Sequence, residues 1–277
     1  MPYSIIVSFQ AQADAVIPRN TGHYAHALFF DGLLKPHHPK VYKRVHDEDP
    51  KPFTLSPLMG PFREQHSGLG ITEGETYRIR ITFLEPRILK YFQHAAQNAA
   101  GEILRIDKAP FKIREILAAP ESSPLCARRS FKDIFSKAQL NRRIGLAFVS
   151  PTTFRSGKTM IRSGNRRNVL VPEPRLLFNS YLIRWQKFSS ITLEPDILSV
   201  VESKTWIAPP KRETRALNFV GYTETGFTGT CIIEIADDVT ENAVRSLNAL
   251  ADFAFFCGTG AKTAMGMGQT RRWEFRE

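Results

Sequence analysis

His46 heads an acidic run, Asp47, Glu48 and Asp49, and Lys51 follows between Pro50 and Pro52. Imidazole suits proton transfer near neutral pH, and a carboxylate beside it raises its pKa and orients its ring. The flanking prolines restrict the backbone at Lys51, which suits an ammonium held beside a phosphate. His26 supplies a second imidazole from within a helical pattern, with Tyr24 a weaker candidate nearby. Each histidine also has a structural reading. His46 fits a helix end that complements the macrodipole, and His26 fits a helix face touching the core. The residues alone leave both pairs of readings open. His37 and His38, between two prolines, read as solvated loop residues, and His66 and His94 have no special context.

The segment FCGTGAKTAMGMGQTRRW carries Gly258, Gly260, Gly266 and Gly268 in a GxG-x5-GxG pattern. A P-loop requires GxxxxGK[ST], but Ala261 precedes Lys262 and Phe256 occupies the first glycine position. A dinucleotide fingerprint leads from a strand into a helix, whereas these glycines follow a helix and lead to a strand. What is left is a backbone loop lying close to a polyanion, with Lys262, Arg271 and Arg272 beside it. The alternative is a helix cap followed by a flexible hairpin.

Charge points the same way. Lys and Arg number 38 against 27 Asp and Glu, a formal net charge of +11. Arg155, Lys158, Arg162, Arg166 and Arg167 lie in RSGKTMIRSGNRR, which contains no acid and reads as a hairpin loop able to lie along phosphates. Residues 128–143 form a second basic stretch, although solvated faces also collect such charge. Three widely spaced cysteines exclude a disulfide scaffold, and no Cys/His spacing suits structural zinc. No apolar run is long enough to span a bilayer. The start MPYSIIVSFQAQAD lacks the features of a signal peptide, so a cytoplasmic protein with no membrane partner is expected.

These residues need elements to hold them. Alternation predicts strands over Tyr3–Gln10, Thr76–Leu84, Arg143–Phe154 and Thr228–Ala236, with a proline-led edge strand in PKPFTLSPLMG. Helical periodicity runs from a Thr21 cap until Pro36 and Pro39 break it, resumes over about Lys40–His46, and returns over Pro86–Ala100 before Gly101. Strand material follows over Glu102–Ile106 and Phe111–Ala118. The second half repeats the order. It has helix from Pro174 to about Val200 interrupted at Pro195, short strands at Ser203–Ile207 and Leu217–Tyr222, a helix over Val239–Phe256 capped by Thr240, and a last strand over Met265–Phe275. The reading is α+β, with two tandem ferredoxin-like (RRM-like) βαββαβ domains, 1–125 and 126–277.

FAFFCGTGAKTAMGMGQTR resembles the C-terminal glycine-rich loop of the CRISPR precursor-RNA processing endoribonucleases, in the repeat-associated RNA-binding superfamily. LAFVSPTTF resembles the strand that opens that family's second domain, and PEPRLLFNS the helix after it. HDEDPKPFTLSPL resembles its N-terminal catalytic segment. The resemblance implies a metal-independent endoribonuclease, without cofactor, that cuts CRISPR repeat RNA in the precursor transcript. Its nucleophile would be the ribose 2′-hydroxyl, leaving a 2′,3′-cyclic phosphate and a 5′-hydroxyl. His46, Lys51 and His26 would be catalytic. Gly258, Gly260, Lys262, Gly266, Gly268 and Arg271 would bind RNA, together with the basic loop. Where some members carry a catalytic tyrosine, this chain has Phe30 and Asp31. The setting would be a prokaryotic cytoplasm, with the chain a monomer or homodimer, alone or with a CRISPR effector complex. Two further readings stay open: a non-catalytic RNA-binding subunit of such a complex, and a general RNA-modification or ribosome-associated protein.

Overall fold

The alternation in TYRIRITFL builds the strand that organises the N-terminal half. In the computed structural model, which describes residues 1–155, 168–219 and 222–274, Thr76–Phe83 pairs antiparallel along the whole of Tyr3–Gln10. With strands numbered in chain order, β1 is Tyr3–Ala11, β2 Phe53–Leu55, β3 Thr76–Phe83, β4 Leu104–Ile106 and β5 Ala109–Leu117. They lie in the order β2-β3-β1-β5-β4. β2 is an edge strand, which suits the proline before it. A small separate sheet of Ala15–Ile17, Gly68–Ile71 and Arg63–Gln65 was not expected.

Helix α1 (Thr21–Ala27) begins where expected, but Thr21 is not its cap. The Thr21 hydroxyl instead accepts a hydrogen bond from the Leu58 N–H at 3.0 Å. The helix also does not stop at Pro36. It widens into a π-helical stretch, Leu28–Leu34, and tightens again over Lys35–His37. The wider turns take up a proline that has no N–H to give to the ladder. Helix α2 (Pro39–Asp47) follows, then α3 (Pro86–Asn98), after which Gly101 turns the chain at φ +85°. The core beneath these helices is aromatic: Phe29 packs on Phe53 at 4.6 Å and stacks on Phe92 at 5.8 Å.

In the C-terminal half, α4 (Phe131–Ser136) precedes β6 (Arg143–Thr152), α5 (Pro174–Phe188), α6 (Ile197–Lys204), β7 (Thr205–Phe219), β8 (Tyr222–Ile235), α7 (Glu241–Cys257) and β9 (Thr270–Arg272). The sheet order is β7-β8-β6-β9. Trp185 of α5 fills the core against Phe131 and Phe253 at 5.2 and 5.4 Å. The interruption at Pro195 separates α5 from α6, and the Thr240 hydroxyl accepts from the Ala243 N–H to cap α7. Two expectations are corrected. Thr205–Ile207 and Leu217–Phe219 both belong to the long strand β7, Tyr222 opens β8, and Ser203 and Lys204 end α6. The last strand is only three residues, because Gly266 and Gly268 sit at φ +87° and +69°, outside strand geometry.

Both halves are therefore ferredoxin-like, in tandem. By packing, the first unit is built from Met1–Arg129 and includes Ala264–Gly266, while Ser130 opens the second. Ala127–Arg128 pairs with Tyr3–Ser4, which carries the first unit past residue 125. No described helix is long and apolar enough to cross a membrane.

Candidate active site and nucleic-acid interface

His26 sits on α1 with its Nδ1 2.9 Å from the backbone oxygen of Ala264. A carbonyl can only accept, so Nδ1 carries the proton and the neutral ring presents Nε2 as an acceptor. The ring packs against Phe30 at 4.5 Å and lies nearly parallel to Phe53 at 6.5 Å. Burial lowers the His26 pKa to about 4; the bond to Ala264 opposes that shift, and the neighbouring charges of His23, Lys51 and His46 reinforce it.

His46 lies in the last turn of α2 with its side chain 58% exposed. Its Nδ1 is 3.3 Å from Asp47 Oδ1, the carboxylate that the sequence put beside it. Its ring meets Phe30 edge-on at 6.0 Å and lies against Tyr42 at 5.8 Å. Lys51 Nζ donates to the backbone oxygen of His46. The three residues singled out for chemistry thus converge: Phe30 touches both imidazoles, and Lys51 is anchored to one of them. The helix-end reading of His46 matches its position in the last turn of α2.

Sequence reasoning passed over His23. It stands three residues before His26 on α1, and the HxxH spacing that puts both on one helix face was the available signal. Tyr24 is half-buried; burial raises its pKa and Asp107 adds to the rise. His38, read as a loop residue, lies at the start of α2 with Nε2 3.0 Å from Nδ1 of His94.

The glycine-rich loop departs most from its sequence reading. Its backbone amides are engaged within the fold. Thr259 N–H donates to Gly268 O, Ala261 to Thr153 O, Gly268 to Pro151 O, and Gly260 to the Ser180 hydroxyl. The glycines answer to crowding. A Cβ on Gly260 would lie 2.2 Å from Thr153 O, and one on Gly268 2.1 Å from Thr259 O. Gly258, at φ +66°, ends α7. Gly266 meets Gly22 of α1, where a Cβ would stand 2.7 Å from the Gly22 Cα. An exposed phosphate cradle is therefore not what Gly258, Gly260 and Gly268 form. Lys262 is engaged within the fold in the same way. Its ammonium is 3.1 Å from Glu224 Oε2, with the two side chains only 8% and 10% exposed, so its charge is already compensated.

Arg155 and Arg271 are exposed. Phe154–Arg155 pairs antiparallel with Asn168–Val169, at the base of the expected hairpin. Lys158, Arg162, Arg166 and Arg167 lie outside the described residues. Within the stretch 128–143, Arg142 donates to the Val239 carbonyl at 3.0 Å and Arg143 pairs with Glu234 at 3.4 Å, so part of that charge is structural.

Fold and site together define a class: paired ferredoxin-like domains, with a histidine–lysine patch on the first and arginines on the second. The family model described as CRISPR-associated endoribonuclease Cas6 matches residues 146–270. A Cas6 product complex has a similar structure, with TM-score 0.82 and 27% identity over 99% of this chain and 100% of that one. Thermus thermophilus Cas6 gives 0.74 and 26% over 99% and 98%. A Cas6-related protein from Pyrococcus furiosus shares the fold, at 0.69 and 15% over 100% of both chains. No curated protein matches by sequence. These findings make the chain similar to the CRISPR precursor-RNA processing endoribonucleases.

Proposed function

We propose that the chain is a metal-independent endoribonuclease that cuts CRISPR repeat RNA in the precursor transcript to release guide RNAs, in a prokaryotic cytoplasm. The nucleophile is the 2′-hydroxyl at the cut site. It attacks the adjacent phosphorus as its proton leaves, and the 5′-oxygen of the next nucleotide departs with a proton. The products are a 2′,3′-cyclic phosphate and a 5′-hydroxyl.

The observation that carries this reading is the meeting of two imidazoles on Phe30, with Lys51 anchored at one of them. His26 acts as the base. Its Nδ1–H is committed to Ala264, so Nε2 is free of a proton at neutral pH, and an incoming phosphate raises the low pKa of the ring toward a useful value. His46, exposed beside Asp47, is the acid. Lys51 offsets charge on the phosphorane. Each correctly placed proton-transfer group is worth about 10²–10⁴-fold in rate. Arg155, Arg271 and the basic loop residues Lys158, Arg162, Arg166 and Arg167 hold the RNA. Likeness to Cas6 structures solved as product and substrate-mimic complexes supports the same substrate class.

The test is end-group analysis of repeat RNA incubated with the protein in chelator. Cyclic phosphate and 5′-hydroxyl ends are expected, and a 2′-deoxy substitution at the cut nucleotide abolishes cutting. Cleavage that survives that substitution, or that requires a divalent cation, removes the reading.

A further inference from the structure

The C-terminal sheet has one face packed on its helices and another turned away from them. Ile144, Leu146 and Phe148 of β6 are buried on the helix side. The intervening residues share the other side with their directly opposed partners. Arg143 faces Glu234, Gly145 faces Ile232, and Ala147 faces Thr230 on one flank and Arg271 on the other. At one end of this face stands Trp206, a large aromatic that is 49% exposed. It is not a loose surface ring. Its indole N–H donates to Glu234 Oε2 at 2.6 Å, and the other oxygen of that carboxylate pairs with Arg143 at 3.4 Å. At the far end, Arg271 is exposed and Val149 is 61% exposed. Between the ends, the central strand carries only Gly145 and Ala147, which keeps the floor low.

We infer that this face is a second RNA site, taking a short single-stranded segment by stacking a base on Trp206 and meeting phosphate at Arg271. Two features fit that occupant. A rigidly held indole stacks on any base without ordering a mobile side chain. The exposed charge at the far end is positive, which suits a phosphodiester. Sheet faces that carry exposed aromatics read single-stranded RNA in this way in RRM-type modules. The site rests on the RNA-binding part of the proposed function and not on cleavage. It serves the unpaired RNA that flanks whatever the histidine patch engages.

The experiment titrates the full chain with a fluorescein-labelled hexaadenylate at fixed low salt and follows anisotropy. Repeat-RNA cleavage is assayed in parallel. Trp206→Ala is expected to weaken hexaadenylate binding by roughly ten-fold or more, and Trp206→Phe to restore most of it. Arg271→Gln should weaken binding and lower its salt slope. Cleavage rates of the two Trp206 variants at saturating protein stay within about two-fold of wild type, because no residue of the histidine patch is touched. Unchanged affinity in Trp206→Ala, or no hexaadenylate binding by the wild type, overturns the site whatever cleavage does. Loss of cleavage chemistry in the wild type, with Trp206-dependent binding retained, would overturn the enzymatic reading and leave this one standing.

Discussion

The imidazole of His26 and the backbone carbonyl of Ala264 meet at 2.9 Å, although 238 residues separate them in the chain. That bond settles which nitrogen of His26 carries the proton, so the glycine-rich segment acts on the site through a histidine tautomer. Replacing His26 by Asn keeps an N–H where Nδ1 stood and removes the Nε2 acceptor. His26→Asn should therefore fold normally and slow single-turnover repeat cleavage by about 10²-fold or more. Near-normal cleavage would take His26 out of the proton transfer.

The same histidine makes stability depend on pH in a definite direction. Its pKa is about 4 in the folded chain, against an ordinary value of 6.5. The unfolded chain therefore binds the extra proton first as pH falls. The contribution is complete above pH 6.5 and is lost progressively between 6.5 and 4, at no more than about 1.4 kcal/mol per pH unit. Denaturant unfolding at pH 7.5 and pH 5 should show wild type losing more stability than His26→Asn. Equal losses would mean that the ring titrates normally.

His46 is exposed and bears little of the fold, so its removal should be read in rate alone. His46→Ala should slow single-turnover cleavage by at least about 10²-fold with RNA affinity nearly unchanged. A parallel drop in affinity would make it a binding residue, and an unaltered rate would leave it as a helix-end histidine.

Much of this was legible because local signals and tertiary context agreed. TYRIRITFL alternates and is the strand β3; Thr240 precedes an apolar periodic run and caps α7; His46 and Lys51, five residues apart, fall in one patch. The rest depended on distant partners. Pro36 looks like a helix stop until the π-helical stretch before it is seen. Nothing near Lys262 in sequence announces Glu224, and nothing near Gly260 announces the Thr153 carbonyl that excludes a side chain. A glycine cluster beside cations has the same local pattern whether its amides face phosphate or the protein's own backbone. Here they largely face the backbone.

Gly22 shows how tightly that segment is held. A Cβ there would lie 2.3 Å from Met265 O and 2.7 Å from the Gly266 Cα, both backbone atoms that cannot swing away. Gly22→Ala should destabilise the chain by about 1–3 kcal/mol. It should also slow cleavage, since displacing Met265 disturbs the adjoining Ala264 carbonyl that orients His26. A calorimetric scan and a single-turnover assay on one preparation check both. Stability lost with cleavage intact would separate the packing contact from the site.

Lys262 separates a structural cation from a phosphate contact. A lysine that meets RNA contributes to the salt dependence of binding, about 0.7–0.9 in slope for each phosphate neutralised. A lysine buried against a carboxylate contributes to stability, and removing it strands the partner charge at a cost of about 3–5 kcal/mol. With side chains 8% and 10% exposed and a 3.1 Å contact, Lys262 and Glu224 fit the second description. Lys262→Met should therefore lower the melting temperature and leave the slope of log K against log salt unchanged. Adding Glu224→Gln should return much of the lost stability, because the stranded carboxylate is gone. A slope that falls by nearly one unit in Lys262→Met would restore this lysine to the RNA interface, as would a double variant no more stable than the single.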